Sequence, residues 1–196
     1  MTDERFAVLI VCHANMCRSP MAERLARRTI IGRMGATGTG FEVSSAGTHA
    51  WTGRPMHPLA AEVLREYGAD DTGFKTRRLT ADLVADADLV LTATRQQRAE
   101  CVGMAPTAVH HTFTLPQFGR VSAAIPKYSL TAIWPPQARL RALIEELHVV
   151  RGTLQVATAE EDELPDPVEQ PINVFRRCAG EIQWVLDVMM GLIAPT

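Results

Sequence analysis

The first apolar run of the chain ends in Cys12-His13-Ala14-Asn15-Met16-Cys17-Arg18-Ser19-Pro20, where a cysteine and an arginine are separated by five residues. Arginine stays charged at any cellular pH and presents a planar fork that fits two phosphate oxygens. A short loop opening onto a helix can turn successive backbone N–H groups inward as an anion nest, and the helix N-terminus adds its positive end. His13, Ala14, Asn15, Met16, Cys17 and Arg18 are therefore read as a phosphate-binding loop. A field that draws a dianion also favours a sulfur anion at Cys12, which puts a nucleophile beneath the bound phosphorus. Ser19 can donate its hydroxyl to that sulfur. Asn15 suits the middle of the loop because asparagine tolerates left-handed backbone and hydrogen-bonds locally. Expelling an alkoxide or phenoxide near neutral pH also needs a proton donor. Asp166, stiffened between Pro165 and Pro167, is the candidate.

Elements of secondary structure must hold these residues. Phe6 to Val11 is a continuous apolar run of strand length, the pattern of a parallel strand buried on both faces. Ser19 and Pro20 read as the N-cap and first position of a helix, with Glu23 in the first turn. Met21, Ala22, Leu25, Ala26 and Ile30 then recur at helical spacing, and the helix is expected to stop near Gly32 to Gly35. Further strands are read at 40–45, 89–91 and 110–115, the last with His110 and His111 on opposite sides. Helices are read at 58–68, 80–85 and 95–102. Alternating strands and helices predict an α/β fold, a doubly wound four-stranded parallel sheet flanked by helices on both faces. From about residue 120 to 163 the pattern loosens and prolines punctuate it, so this stretch reads as an insertion with one amphipathic helix at 137–150. Its acidic run, Glu160 to Glu163, reads as a solvated turn. Ile172 to Leu192 reads as a closing helix with Ile182, Val185, Leu186 and Met189 facing inward, and the chain from 1 to 196 as a single domain.

Of the 196 residues 46% are apolar and 21% charged, enough for one hydrophobic core and too apolar for intrinsic disorder. The formal net charge of -2 lacks the basic surplus of nucleic-acid or anionic-membrane binders, so neither partner is expected. Met1 to Arg5 is acidic where a secretory leader would be basic, and Phe6 to Val11 is too short for its apolar region. Ile182 to Ala194 is broken by Asp187 and falls short of the roughly 20 residues that cross a bilayer. A cytoplasmic location is expected, with the four cysteines as reduced thiols. The six histidines show no metal-ligand spacing, so neither metal nor cofactor is expected. Nothing in the sequence bears on oligomeric state.

The run from Val11 to Glu23 resembles the signature of the low-molecular-weight protein tyrosine phosphatases. A bare Cys-x5-Arg is a weak signal, but with Asn15, Cys17, Ser19, Pro20 and Glu23 it becomes specific. Ser45-Ala46-Gly47-Thr48, Asp88-Leu89-Val90-Leu91-Thr92 and Asp166-Pro167 follow in the family's order, so the resemblance spans nearly the whole chain outside 120–163. It implies a four-stranded parallel sheet, a phosphocysteine intermediate and no metal. By position it makes Cys12 the nucleophile, Arg18 the phosphate ligand and transition-state stabiliser, and Asp166 the acid and then the base for water attack. It also makes Cys17 the second loop cysteine, able to form a reversible disulfide with Cys12 under oxidants. Val168 departs from the pattern: members active on phosphotyrosine usually carry an aromatic after Asp-Pro, and its loss removes a stacking partner of order ~1 kcal/mol. Trp51, near the place of another family aromatic, is the candidate for the remaining wall of the substrate pocket.

The leading reading is a phosphomonoester hydrolase acting on phosphotyrosine in proteins. Val168 motivates a rival, a phosphatase of small phosphorylated metabolites. A phosphate-binding module without turnover is a third reading, opposed by the intact nucleophile and acid. Arsenate reduction is a fourth, opposed by Cys101 and Cys178, which lack the close pairing that relays a disulfide.

Overall fold

The computed structural model describes residues 5–155 and 157–194, so the acidic start Met1–Glu4, read above as unlike a leader, lies outside the described residues. Phe6–Cys12 forms β1, buried over almost its whole length. It lies between β2 (Phe41–Gly47) and β3 (Leu89–Thr92), with β4 (Thr112–Thr114) beyond β3. All pairings are parallel, in the order β2-β1-β3-β4, with Cys12 opposite Gly47 and Val11 opposite Thr92. The strand order reverses at β1, and the crevice beyond its carboxyl end is where open α/β sheets place ligands. The loop from Cys12 to Arg18 leaves β1 at that point.

Helices follow as α1 (Arg18–Met34), α2 (Pro58–Glu66), α3 (Ala81–Ala85), α4 (Arg95–Met104), α5 (Leu115–Ala123), α6 (Pro136–Arg151) and α7 (Ile172–Ile193). Alternate residues of β1 feed two cores, which is why its sequence is apolar throughout. Val8 and Ile10 join the larger core, with Leu25 of α1, Leu64 of α2 and Ile182 of α7. Leu9 and Val11 join the smaller core on the other face, with Val84 of α3 and Cys101 of α4. This is the doubly wound α/β arrangement that the alternation of elements predicts. No helix among the described residues is long and apolar enough to cross a membrane.

Several local expectations are corrected. Helix α1 begins at Arg18 with Cys17 as its N-cap, so Ser19 and Pro20 are its second and third residues. The Ser19 hydroxyl is drawn away from a capping role by the Cys12 sulfur, 3.0 Å distant. Strand β4 pairs with β3 over three residues only, and His110 and His111 close a 3-10 turn, Pro106–His111, instead of alternating across a strand. Within 120–163 the helix expected at 137–150 is α6 itself, and it adds Leu140, Leu143 and Leu147 to the main core. In the acidic run Glu160 and Glu161 are exposed, as a solvated turn requires, but Asp162 is 3% exposed and ion-paired with Arg95 and Arg120, each at 2.8 Å.

Candidate active site

The loop after β1 is held from beneath by one asparagine. Asn15 has a φ of 55°, the left-handed region that asparagine tolerates, and is completely buried. Its Nδ2 donates to Ser19 Oγ and to Ser45 Oγ, both at 2.9 Å, and its Oδ1 accepts the Arg77 backbone N–H at 2.9 Å. Ser45 Oγ in turn donates to the buried Glu23 carboxylate at 2.6 Å, and Glu23 pairs with Arg27 at 3.0 Å. These donors and acceptors fix one direction for the network. Ser19 Oγ accepts from Asn15, so its own proton is free to go to Cys12 Sγ at 3.0 Å, with the Ala46 carbonyl at 3.4 Å as the more distant acceptor.

Gly47 at the end of β2 presses on the same loop. A Cβ there would stand 2.6 Å from the His13 carbonyl oxygen and 2.7 Å from the Asn15 nitrogen, both rigid backbone atoms. Thr48 and His49 continue the contact, donating their N–H groups to the Cys12 and His13 carbonyls at 3.0 and 2.8 Å. The loop's carbonyls thus turn outward to the neighbouring chain, while the N–H groups of Ala14 to Arg18 donate to no acceptor among the described residues. Five unpartnered donors at the start of a helix are the makings of an anion-binding site.

Arg18 is 4% exposed. Its Nη1 donates to the Leu164 carbonyl at 3.1 Å, its Nη2 contacts the Asp166 carboxylate, and its Nε is buried with no partner. The Asp-Pro loop therefore reaches the cysteine loop across 148 residues of sequence. Asp166 Oδ1 also accepts the Val168 N–H at 3.3 Å, a tight turn that holds the carboxyl close to its own backbone.

The remaining predicted residues fall around this centre. Cys12 is buried at the end of β1. His13 is exposed and stacks on His49 with ring centroids 4.5 Å apart, so it belongs to the rim and not to the floor. The Met16 carbonyl accepts the His57 N–H at 2.9 Å. Burial pushes the Cys17 thiol up to about 12, with Cys12 and Asp166 adding to the effect and Arg18 opposing it. Trp51 is 79% exposed, its carbonyl held by Thr76 Oγ1, and Val168 is 45% exposed beside the acid. Among the described residues no group of three or more His, Cys, Asp or Glu is placed to hold a metal. The sequence holds no signal for Arg77, places Asp162 only within an acidic run, offers Glu23 only as a helix-start residue and part of a matching run, and shows Ser45 and Gly47 only as parts of matching runs. Their partners lie in other elements, and spacing does not report them.

The family described as low molecular weight phosphotyrosine protein phosphatase matches residues 7–125. The chain is 35% identical to EpsP of Ralstonia nicotianae, a probable low molecular weight protein-tyrosine-phosphatase, over 64% of this chain and 81% of EpsP. It is 34% identical to the Escherichia coli phosphatase Etp over 51% of this chain and 62% of Etp. Among solved structures, the low molecular weight protein tyrosine phosphatase of T. tengcongensis superposes with a TM-score of 0.66 at 25% identity, covering 94% of this chain and 97% of that one. Wzb of Vibrio vulnificus, solved with benzylphosphonate, shares the fold with a TM-score of 0.63 at 22% identity. With the cysteine loop inside the matched segment and the fold common to these relatives, the chain belongs to the low molecular weight phosphotyrosine protein phosphatase family.

Proposed function

We propose that this phosphatase hydrolyses phosphotyrosine in proteins through a phosphocysteine at Cys12. The observation that carries the reading is the meeting of Asp166 with Arg18 at a loop whose N–H groups are unpartnered. A phosphate dianion entering the loop takes Arg18 Nη2 from Asp166 and finds Nε already unpartnered, so two parallel guanidinium bonds form and the Asp166 carboxyl is released. The Cys12 thiolate attacks phosphorus, the bond to the tyrosyl oxygen breaks, and protonated Asp166 gives its proton to that oxygen. Water then attacks the phosphocysteine while Asp166 takes its proton, and the sulfur leaves. Arg18 and the N–H groups from His13 to Arg18 stabilise the charge that builds on the equatorial oxygens.

In this reading the chain is a single phosphatase domain of the cytoplasm, with 120–163 as an insertion and all four cysteines free. Cys17 stays protonated near neutral pH and serves as a resolving thiol only once Cys12 has been oxidised. Trp51 forms the aromatic wall of the substrate cleft. Because Val168 offers no ring, a small phosphomonoester is the second reading. Comparing kcat/KM for a phosphotyrosyl peptide with that for an aliphatic phosphate tests the choice. The peptide is expected to be the better substrate, and Trp51→Ala to raise its KM. Equal turnover of both compounds, indifferent to Trp51, would favour the small-molecule reading.

A further inference from the structure

The strap that carries Asp166 is fastened at Asp162. Asp162 Oδ2 accepts from Arg95 Nη2 and Oδ1 from Arg120 Nη2, each at 2.8 Å, so one buried carboxylate bridges α4 and α5. The same Arg95 nitrogen is shared with the Ala157 and Thr158 carbonyls at 2.9 Å, and the Arg95 backbone N–H donates to Glu163 Oε1 at 3.3 Å. Two residues beyond Asp162, the buried Leu164 donates its N–H to the Ala93 carbonyl at 2.8 Å and accepts from Arg18 Nη1. Only Pro165 separates Leu164 from Asp166, and the prolines on either side of Asp166 limit its backbone.

Asp166 is also held by its contact with Arg18. That contact ends when a phosphate claims the guanidinium. The Asp162 clamp and the Leu164 contacts then remain as the restraints on the strap, at the moment when the carboxyl must stand over the leaving oxygen. A misplacement of about 1 Å in a reacting group costs on the order of 10²-fold in rate. We infer that Asp162 is a positioning residue for the acid step, acting through the strap on Asp166 without touching substrate. The inference rests on the reading of Asp166 as general acid.

The test compares kcat/KM, which reports the steps up to loss of the leaving group and not the water step that Asp166 also serves, for para-nitrophenyl phosphate, whose leaving group needs little protonation, and for phenyl phosphate, which needs the acid. Wild type, Asp162→Asn, Asp166→Asn and the double variant are measured across pH. Asp162→Asn is expected to lower kcat/KM for phenyl phosphate about tenfold and for para-nitrophenyl phosphate less than about threefold, with the alkaline limb of the phenyl phosphate profile weakened. The double variant is expected to be no slower than Asp166→Asn alone, because both act through one group. Equal losses on both substrates, or a double variant whose loss is the product of the single ones, would reduce Asp162 to a structural fastening and overturn the inference. If Asp162→Asn does not fold, Arg120→Gln, which removes one half of the clamp and leaves Arg95, carries the same comparison. An Asp166→Asn enzyme with the same defect on both compounds would instead overturn the acid reading itself.

Discussion

Asn15→Ala removes three buried hydrogen bonds at once, to Ser19, to Ser45 and from the Arg77 N–H. At a net 0.5–1.5 kcal/mol each, their loss costs about 2–4 kcal/mol, with the upper end favoured because the Arg77 donor is left without its partner. Alanine is also held at the positive φ of Asn15, which adds about 1 kcal/mol. The total, about 3–5 kcal/mol, is a large share of the stability of an ordinary domain. Urea unfolding reads it directly: with a slope of about 2 kcal/mol/M the midpoint falls by roughly 1.5–2.5 M. Asn15→Gly separates the two contributions, since glycine takes the left-handed conformation freely and still loses the three bonds. It is expected to recover only about 1 kcal/mol of the alanine loss. If glycine restored wild-type stability, the network would contribute little and backbone strain would be the whole effect, contrary to the account given of this loop.

Gly47→Ala places a methyl group 2.6 Å from the His13 carbonyl oxygen, so the loop must shift by close to 1 Å, and kcat for para-nitrophenyl phosphate is expected to fall about 10²-fold while the fold survives. Burial opposes ionisation of Asp162, but the hydrogen bonds and charges of Arg120 and Arg95 outweigh it and hold its pKa below the ordinary carboxylate value. The stability from this group is therefore present above about pH 4 and lost as pH falls through the lower folded value, so acid unfolding of Asp162→Asn is expected to be flatter than that of wild type below about pH 4. Burial also raises the thiols of Cys17 and Cys101 to about 12. Brief treatment with iodoacetamide near neutral pH is expected to leave both unlabelled in the folded protein, as peptide mapping by mass spectrometry would record, and labelling of Cys17 at the unfolded rate would contradict its burial.

What could be read from the sequence was local. A strand buried on both faces shows itself as an unbroken apolar run, as in β1. The left-handed Asn15 and the helix beginning beside it follow from residue types within a few positions of one another. Ser19 shows where such reading fails, because its hydroxyl had two possible partners and the sulfur of Cys12, across the loop, prevailed over the helix terminus. Asp162 is the larger case. Its run of four acidic residues carries the formal charge of a solvated surface, but the two guanidinium groups that receive it come from 67 and 42 positions away. Gly47 is invisible for the same reason, since the need for a missing side chain arises only when β2 pairs with β1 and meets the loop. The flanking prolines and the resemblance single out Asp166, but its reach to Arg18 depends on the whole path from α5 back to the sheet.

The central claim is that Cys12 carries the phosphoryl group. Rapid acid quench of the enzyme during turnover of para-nitrophenyl phosphate, followed by mass spectrometry of the peptide containing Cys12, tests it most directly. One phosphoryl group is expected on Cys12 in wild type, a larger steady fraction when Asp166→Asn slows the water step, and neither adduct nor turnover in Cys12→Ala. Turnover that persists in Cys12→Ala, or a phosphoryl group found on another residue, would contradict it.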